Sequence, residues 1–296
     1  MTHHDTCPIC ESKEIPLFIT CSDNLVSGGE FNLHRCKNCN FLFTNDHPSE
    51  AESARYYESD DYISHTDSRK SFMDNAYHFV RSFMLRKKRR MVVSATGLTE
   101  GSILDIGSGT GYFLAEMKRS GWDISGIEIS SKARDFSNRK LGVDSKTPDS
   151  IYEMKNDSFD CITLWHVLEH FHDPFAYMKE IRRLLKPEGI LVVALPNSES
   201  FDSTYYGRYW AAYDVPRHLW HFDPDTFESF GQKTGFKTRY IKRLPFDVFY
   251  ISILSEKYKG KKFTIIAGMV LGLIFWAGSM FRKYKCSSLV YILQAE

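Results

Sequence analysis

The segment from Ser102 to Arg119 constrains the fold more than any other part of the chain. A short apolar run at 102–106 is followed by three glycines within five residues and then by apolar side chains at helical spacing from Tyr112 onward. A buried strand that turns through glycines into a helix is the first half of a β–α–β unit. Because further apolar segments of strand length alternate with helical patterns, the sequence predicts a parallel sheet covered by helices on both faces. Those segments are 124–129, 161–164 and 190–195.

The composition excludes several classes of protein. The chain has 296 residues, with 38 Lys and Arg against 37 Asp and Glu, and 43% of its residues are hydrophobic. That length suits one sizeable core with a smaller appendage. A net charge of +1 gives no field for coating nucleic acid, and the ordinary hydrophobicity disfavours wholesale disorder and a multi-span membrane protein. Since the first residues lack the basic and apolar stretches of a secretory signal, we expect a cytoplasmic protein.

Four of the seven cysteines lie in the first 39 residues, in two C-x2-C pairs. A reducing cytoplasm disfavours disulfides, whereas two such pairs with a short spacer supply four thiolates for a tetrahedral Zn²⁺ site. A closed four-sulfur shell leaves no open position, so we expect a structural zinc ribbon of small strands. The predicted ligands are Cys7, Cys10, Cys36 and Cys39.

The glycine turn also indicates a ligand. Its spacing is G-x-G-x-G from Gly107 to Gly111, Asp105 precedes it by two residues, and Glu128 ends the next predicted strand. Glycines let a ligand approach the backbone, and an acidic residue about 20 positions on can accept hydrogen bonds from both ribose hydroxyls. A nicotinamide cofactor is the first alternative, but its pyrophosphate is typically held by G-x-G-x-x-G. S-adenosylmethionine carries no phosphate, and this spacing favours it.

Residues 95–245 resemble the class I S-adenosylmethionine-dependent methyltransferases. Besides the glycine turn, the segment from Phe159 to His170 resembles that family's fourth strand and following loop. Three shorter segments continue the same order at the same spacing, at 173–174, 185–189 and 195–197. The resemblance implies an α/β fold with a Rossmann-like, seven-stranded methyltransferase sheet. The cysteine pairs and the segment 214–222 are similar to a bacterial branch of the family linked to sugar, lipid and cell-surface metabolites.

The resemblance also implies a set of cofactor contacts. The turn would wrap the methionine part of S-adenosylmethionine, with Asp105 acting through the turn and the amino group. Glu128 would hold the ribose, and Trp165 would line the cofactor near the sulfonium. The implied cofactor-binding residues are Asp105, Gly107, Ser108, Gly109, Gly111, Glu128 and Trp165.

His166, Glu169 and His170 form an H-x-x-E-H segment. On a helix these three side chains would share one face. The pattern also matches the inverted zincins, an alternative that needs a third ligand and a different fold. The ubiquinone-pathway O-methyltransferases, which this chain resembles, carry Glu-x-x-Glu-His here, where a divalent metal has been proposed. His166 departs from that pattern, so a second metal site and structural support of the loop both stay open.

Arg217, His218 and His221 follow the fifth predicted strand, where this fold closes over the acceptor. A neutral histidine, with an intrinsic pKa of about 6.5, can take the proton of an acceptor. We therefore expect His221 or His218 as the catalytic base and Arg217 as an anion clamp on phosphate or carboxylate. The alternative is that these residues only fix the loop.

An uncharged stretch of 19 residues, Phe263 to Phe281, is flanked by lysines and arginines and followed by a strand pattern at 289–294. Its length is at the lower end for a transmembrane helix. By the family resemblance, 237–244 and 289–294 are neighbouring antiparallel strands of one sheet, which excludes a single crossing between them. We expect an apolar helical insertion at 246–285 that touches the membrane surface through its lysines. A homodimer contact through the glycines of the stretch is the alternative.

These observations predict three parts. Residues 1–47 form a zinc-ribbon-like segment with the four cysteines, 48–98 a helical linker or lid, and 99–296 a class I methyltransferase domain that contains the insertion. The linker carries a basic run at 86–90, which indicates either a solvated face or a contact with an anionic substrate or membrane surface.

The predicted function is methyl transfer from S-adenosylmethionine to a small molecule, with O-methylation favoured. We expect the acceptor to be a sugar, a lipid-linked intermediate or a related metabolite, and we expect no nucleic-acid partner. The predicted location is the cytoplasm, with peripheral contact at the inner face of the membrane. Two alternatives stay open, a nicotinamide-dependent oxidoreductase and a zinc-ribbon adaptor with an inactive methyltransferase-like domain.

Overall fold

The computed structural model describes residues 1–57 and 72–296. This part of the chain contains eleven strands and nine α-helices, besides short 3₁₀ turns and loops. The middle of the predicted linker or lid, 58–71, lies outside the described residues, as do the side chains of 72–80. The strands are β1 (Leu17–Ser22), β2 (Glu30–Arg35), β3 (Leu42–Asn45), β4 (Ser102–Ile106), β5 (Asp123–Ile127), β6 (Ser145–Lys146), β7 (Phe159–Trp165), β8 (Leu185–Pro196), β9 (Trp220–His221), β10 (Phe236–Arg243) and β11 (Ser288–Ala295). The helices are α1 (Glu50–Ser53), α2 (Phe72–Thr96), α3 (Tyr112–Arg119), α4 (Ser131–Phe136), α5 (Pro174–Leu184), α6 (Phe201–Tyr206), α7 (Pro224–Lys233), α8 (Asp247–Tyr258) and α9 (Thr264–Phe281).

The larger sheet has seven strands in the order β10-β11-β8-β7-β4-β5-β6. From β8 to β6 all neighbours are parallel, whereas β11 lies antiparallel between β10 and β8. Parallel strands are covered on both faces, which is why their sequences are continuous apolar runs. The predicted α/β architecture is therefore confirmed, including the antiparallel last strand.

Each face of this sheet has its own hydrophobic cluster. Neighbouring residues of a strand point to opposite faces, so Leu104 packs with Ile181 of α5 and Phe230 of α7, whereas Ile103 packs with Val92 of α2 and Leu114 of α3. All six of these side chains are fully buried. The two clusters hold β4, β5 and β7 between helices on both faces of the sheet.

The smaller sheet, called here the ribbon sheet, has four antiparallel strands in the order β1-β2-β3-β9. Its last strand comes from residues 220–221, far along the chain, and pairs Leu42 with His221 and Phe43 with Trp220. Phe41 stacks on Trp220 with ring centroids 6.1 Å apart. The cysteine-bearing segment is thus joined by backbone and aromatic contacts to the loop that the sequence assigns to the acceptor.

The predicted insertion is a hairpin of two helices, α8 and α9, between β10 and β11. A Cβ atom at Gly268 would lie 2.5 Å from the Cα atom of Ile253, and one at Gly272 would lie 2.9 Å from the ring of Phe249. These two glycines therefore allow α9 to pack closely on α8 of the same chain. Because that space is already filled within the chain, these two positions offer no room for the homodimer contact that the sequence left open.

Candidate functional site

The glycine turn joins β4 to α3 and leaves one part of its backbone open. At Gly107, where φ is +72°, a Cβ atom would lie 2.4 Å from a methyl group of Val167, so packing alone requires glycine there. At Gly109, where φ is +54°, a Cβ atom would meet nothing within 4 Å. The turn is therefore held from behind and open in front, which is the geometry that lets a ligand approach the backbone.

Two acidic side chains flank this turn. Glu128, at the end of β5, accepts hydrogen bonds from the backbone N–H groups of Gly109 at 2.7 Å and Ser130 at 2.8 Å. Asp105 accepts a hydrogen bond of 2.5 Å from the hydroxyl of Thr163. Burial raises the pKa of Asp105 to about 7, against the opposing effects of Thr163 and Lys88. Buried carboxylates are rarely left without a partner, and this one has a single hydrogen bond among the described residues.

Ser108 and Gly111 hold the turn in place. The hydroxyl of Ser108 lies 2.9 Å from that of Ser145 on β6, so it contacts the protein itself. Gly111 precedes α3, and a Cβ atom there would lie 2.7 Å from the side chain of Ser137. Of the predicted cofactor residues, these two support the shape of the turn.

Trp165 lies at the carboxyl end of β7, beside a cation that sequence reasoning did not assign to the site. Its ring contacts Phe113 edge-on at 5.5 Å, and the ammonium group of Lys88 lies 4.4 Å above it. The indole N–H of Trp165 is buried and lacks a hydrogen-bond partner among the described residues. Burial lowers the pKa of Lys88, whereas Asp105 and Asp247 oppose that effect. In the sequence, Lys88 is one residue of a basic run on α2. Only the packing of α2 shows that the side chain of Lys88 faces the site.

The H-x-x-E-H segment is not α-helical. His166 follows β7 directly with φ +60°, and Leu168–His170 forms a short 3₁₀ turn. His166 lies 3.0 Å from the carboxylate of Asp247 at the start of α8 and 3.6 Å from that of Glu169. Burial alone would lower the pKa of His166, but these two carboxylates raise it to about 9. His166 is therefore held in an ion pair with Asp247 and lies outside the group of three potential ligands formed by its neighbours.

Glu169 and His170 meet His218 instead, in a group called here the acceptor cluster. One potential ligand atom from each residue lies within 4.8 Å of the others. Glu169 is 1% exposed, and neither of its carboxylate oxygens has a hydrogen-bond partner among the described residues. The rings of His170 and His218 meet edge-to-face at 4.5 Å. A buried carboxylate next to two imidazoles is the donor set of an acid–base centre or of a divalent-metal site.

The hydrogen bonds of the two histidines show which nitrogen contacts a backbone carbonyl. Nδ1 of His218 lies 2.9 Å from the carbonyl of Ala212, and Nδ1 of His170 lies 3.1 Å from the carbonyl of Arg217. Because a carbonyl only accepts, each Nδ1–H donates to it, and in a neutral imidazole the lone pair is then on Nε2. Nε2 of His218 lies 3.8 Å from the carboxylate of Asp214. Burial and the neighbouring His218 lower the pKa of His170 to about 4, so it stays neutral. Burial raises the pKa of Glu169, but its histidine neighbours lower it overall, so it is ionised.

His221 lies in a different environment. It belongs to β9, and its Nε2 lies 3.0 Å from the hydroxyl of Thr44, which itself donates to the carbonyl of His218 at 2.8 Å. Nε2 of His221 is therefore the donor in this pair. Burial lowers the pKa of His221 well below its usual value. The geometry thus favours His218 over His221 as the base. His221 instead connects the ribbon sheet to the loop through its hydrogen bond with Thr44.

The expectation that Arg217 clamps a substrate anion is wrong. Its side chain is 1% exposed and forms ion pairs of 2.7 Å with Asp214 and 3.0 Å with Asp23. Two carboxylates of the chain already neutralise the guanidinium, which leaves it no charge to offer a substrate. Arg217 instead ties the acceptor loop to the ribbon sheet, because Asp23 directly follows β1.

The four predicted zinc ligands also lie together. Their sulfur atoms are all within 4.8 Å of one another, with Cys7 to Cys39 and Cys10 to Cys36 both at 3.5 Å. Zn–S bonds of about 2.3 Å in a tetrahedron place sulfurs about 3.8 Å apart, so the residues fit Zn²⁺. The two cysteine pairs have the same backbone conformation. The carbonyl of Cys7 accepts a 2.9 Å hydrogen bond from the N–H of Glu11, and the carbonyl of Cys36 accepts one of the same length from Asn40; both donors have φ +61°.

A family model described as a methyltransferase domain matches residues 76–241, more than half of the chain. The chain belongs to this family. It has the class I, S-adenosylmethionine-dependent methyltransferase architecture, with the glycine turn and the acceptor cluster both inside the matched range. The ribbon sheet, except β9, and the helical hairpin lie outside that range.

Curated relatives are quinone-pathway methyltransferases. The chain is 28% identical over 114 residues to the ubiquinone biosynthesis O-methyltransferase of Actinobacillus pleuropneumoniae serotype 7 (strain AP76), covering 35% of this chain and 49% of that protein. It is 29% identical over 170 residues to the enzyme of the same name from Rhodopseudomonas palustris (strain BisB5), covering 53% and 66%. It is 29% identical over 148 residues to the demethylmenaquinone methyltransferase of Tropheryma whipplei (strain Twist), covering 47% and 62%. The chain thus spans about half to two thirds of the length of these relatives.

Solved structures show the same fold. The 4+2 cyclase SpnF matches with a TM-score of 0.51 and 19% identity, covering 78% of this chain and 84% of that chain. A candidate sarcosine dimethylglycine methyltransferase from Galdieria sulphuraria matches with a TM-score of 0.51 and 17% identity, covering 72% and 85%. Because a cyclase and a methyltransferase share the fold, the fold leaves the reaction to be argued from the site.

Proposed function

We propose that this protein transfers a methyl group from S-adenosylmethionine to a hydroxyl oxygen of a small molecule. The observation that carries the proposal is the juxtaposition of two unlike surfaces. An open glycine turn with carboxylates lies at the ends of β4 and β5. Val167, which packs on Gly107, leads into the buried Glu169 and His170, and these two residues meet His218, the candidate base. The first surface suits a cationic nucleoside, and the second suits a group that must lose a proton.

The residues of the turn fit S-adenosylmethionine. When bound, it supplies a methyl group activated by a positively charged sulfur. Glu128 would accept hydrogen bonds from the ribose hydroxyls, and Asp105 would neutralise the ammonium of the methionine part. Lys88 has the charge to pair with the carboxylate of the same part. The open face at Gly109 and the unpartnered N–H of Trp165 leave room and a donor for the ligand.

His218 is the residue best placed to take the proton of an acceptor hydroxyl. Its Nδ1–H is fixed by the carbonyl of Ala212, which orients the Nε2 lone pair. The ionised Glu169 in the same cluster stabilises the imidazolium that forms. A positioned base of this kind contributes about 10²–10⁴ in rate. The rest of the acceleration comes from holding the hydroxyl in line with the transferred group.

The acceptor cluster also has the donor set of a divalent-metal site. Two imidazole nitrogens and one carboxylate bind Zn²⁺ and related ions and leave positions open for an acceptor hydroxyl. A metal there would lower the pKa of that hydroxyl, and His218 would then be a ligand. Metal analysis of the purified protein separates these two forms of the proposal. Zinc beyond one equivalent, lost in His218→Ala, would support the metal form.

Two further parts of the proposal concern the rest of the chain. We propose that Cys7, Cys10, Cys36 and Cys39 hold a structural Zn²⁺ that stabilises the ribbon sheet, and that the protein works in the cytoplasm. The ubiquinone biosynthesis relatives are O-methyltransferases by name, which supports a hydroxyl on a lipid-linked or related small molecule as the acceptor.

The test is transfer of a labelled methyl group from S-adenosylmethionine to a panel of catechols, activated sugars and lipid-linked hydroxyl compounds. We expect one class of compound to be methylated on an oxygen atom. Mass spectrometry of the product, together with the stability of the new linkage to base, will identify the methylated atom. Calorimetric binding of S-adenosylmethionine should succeed before any acceptor is known. Binding of a nicotinamide cofactor with none of S-adenosylmethionine would contradict the proposal and favour the oxidoreductase alternative. Tight capture of a protein partner that persists in Glu128→Ala would favour the adaptor alternative.

A further inference from the structure

One face of α9 is exposed and almost entirely apolar. Pairs of side chains recur every four residues along it, which is one stripe of an α-helix. Each is between 47% and 66% exposed, and only Gly268, Gly272 and Ser279 of this helix are buried. The stripe consists of Ile265, Ile266, Met269, Val270, Leu273 and Ile274. An exposed apolar patch of this extent on a protein surface marks a contact with a partner or a membrane.

The fold limits how this helix can meet a membrane. Among the described residues, α9 is the one helix long and apolar enough to cross a bilayer by length and composition. Its neighbours β10 and β11 pair with each other in the same sheet, so both ends of the hairpin lie on one side. The other helix, α8, has 12 residues, about 18 Å, which is too short for a second crossing. The hairpin can therefore lie on a membrane but not span it.

Positive charge lies at both ends of the stripe. No acidic residue occurs between Lys257 and Gln294, whereas lysines and arginines occur before and after α9. They are Lys257, Lys259, Lys261 and Lys262 on one side and Arg282, Lys283 and Lys285 on the other. Such a distribution complements a surface that is apolar inside and negatively charged at its rim, as an anionic bilayer is.

A cavity opens at the first of these ends. It has a volume of about 370 Å³ and lies between α8, α9 and the end of α6. Lys259 lies 4.8 Å above the ring of Tyr205 and 3.9 Å from the carboxylate of Glu256, which leaves Lys261 and Lys262 at the cavity without a described acidic partner. Phe263 completes the wall toward the stripe and is 75% exposed. The cavity thus joins cationic groups to the start of the apolar face.

We propose that the helical hairpin docks flat on an anionic phospholipid bilayer, with the stripe among the acyl chains and one phosphate headgroup in the Lys261–Lys262 cavity. A second copy of the chain fits this surface less well. Both ends of α9 are basic, so either parallel or antiparallel pairing of two α9 helices would bring like charges together. A bilayer meets both ends with negative charge. The proposal stands independently of the reaction proposed above.

The experiment is co-sedimentation of the full-length protein with vesicles of equal parts phosphatidylglycerol and phosphatidylcholine, and with vesicles of phosphatidylcholine alone. We expect binding to the anionic vesicles that weakens about tenfold or more at high salt, because the lysines lie at the exposed rim. Ile266→Gln with Val270→Gln and Ile274→Gln should reduce binding about tenfold or more, since the stripe then no longer enters the acyl region. Lys261→Gln with Lys262→Gln should reduce binding to anionic vesicles about tenfold or more, while the remaining basic residues at the ends of α9 keep part of the preference over phosphatidylcholine.

A matched control removes the same charge elsewhere. Lys132→Gln with Lys140→Gln changes two exposed lysines that follow β5, toward the opposite edge of the sheet from β10, and should leave vesicle binding unchanged. Affinity for S-adenosylmethionine, measured for every variant, shows that the variants are folded. Equal losses in the control and in the Lys261 variant would overturn the headgroup site. Failure of the native protein to bind either vesicle, or a dimer in light scattering that the stripe variant abolishes, would overturn membrane docking.

Discussion

The two sides of the candidate site are built in opposite ways. The turn and the two carboxylates of the cofactor side come from one stretch of chain, Asp105 to Glu128, which runs from strand to turn to helix to strand, and only Lys88 and Trp165 are added from elsewhere. The acceptor side is assembled from residues that are far apart in sequence, with Glu169 and His170 after β7 and His218 in a loop fastened to the ribbon sheet. The difference shows that one half of a site can be formed by a local motif while the other half is formed by long-range packing. The two halves should therefore fail separately.

Loss of the proposed zinc should have the largest effect and separate the two sides. Thr44 of the ribbon sheet bonds the carbonyls of His218 and Leu219 at 2.8 and 2.9 Å, so unfolding that sheet displaces His218. A displacement of about 1 Å can cost a hundredfold in rate. We expect Cys36→Ser, or chelation, to abolish transfer while affinity for S-adenosylmethionine changes less than about threefold.

Three measurements test this separation: mass spectrometry for the metal content, calorimetry for the affinity for S-adenosylmethionine, and the transfer assay for activity. Added zinc should restore methyl transfer by the chelated protein. Parallel loss of cofactor affinity and transfer would show that the two sides fold as one unit.

Replacing the two candidate bases should give unequal results. His218→Ala removes the Nε2 lone pair of the acceptor cluster, and we expect a fall in kcat of about 10²–10⁴ with unchanged cofactor affinity. His221→Ala removes a buried hydrogen bond to Thr44, so it should lower stability by about 1–3 kcal/mol and leave kcat within severalfold.

Steady-state kinetics and thermal unfolding of both variants test this contrast. A kcat loss in His221→Ala at temperatures where the variant is folded would restore His221 as the base and count against His218.

On the cofactor side, Glu128→Ala should weaken binding of S-adenosylmethionine about 10- to 150-fold. Hydrogen bonds to a charged group contribute about 1.5–3 kcal/mol, and the backbone N–H of Gly109 loses its acceptor as well. Glu153→Ala, which removes an exposed carboxylate outside the turn, is the matched control. Calorimetry that finds equal affinities in both variants would remove Glu128 from the cofactor side.

The smallest predicted effect is a pH dependence of cofactor binding. Burial raises the pKa of Asp105 to about 7, so the carboxyl group of the free protein gains a proton as the pH falls through that value. A bound ammonium favours the charged form, which must lose that proton on binding. Affinity should therefore fall below pH 7, by about tenfold for each full unit of pH.

Binding isotherms between pH 6 and 7.5 measure this slope, and Asp105→Asn, which cannot titrate, should flatten it. The same slope in both proteins would assign the proton to another group.

Sequence patterns predicted the cofactor side well because its geometry is local. The strand at Ser102–Ile106 and the helix at Tyr112–Arg119 lie where periodicity put them, and the alternation of apolar segments predicted the parallel sheet. The same patterns did not reveal Lys88, since a lysine in a basic run on a helix has the same signature whether it faces solvent or Trp165. They also misplaced Arg217, because its partner Asp23 lies almost two hundred residues away.

The sequence by itself determined the elements that depend on neighbouring residues: the glycine turn, the two cysteine pairs, the βα alternation and the uncharged stretch before the last strand. Only the tertiary structure decided which histidine has an available nitrogen, which arginine is neutralised, and which face of α9 is exposed. The physical reason is the range of the interactions. Backbone turns and side-chain periodicity act within a few residues, whereas burial, ion pairing and the hydrogen bonds that fix a histidine's proton arise where distant segments meet.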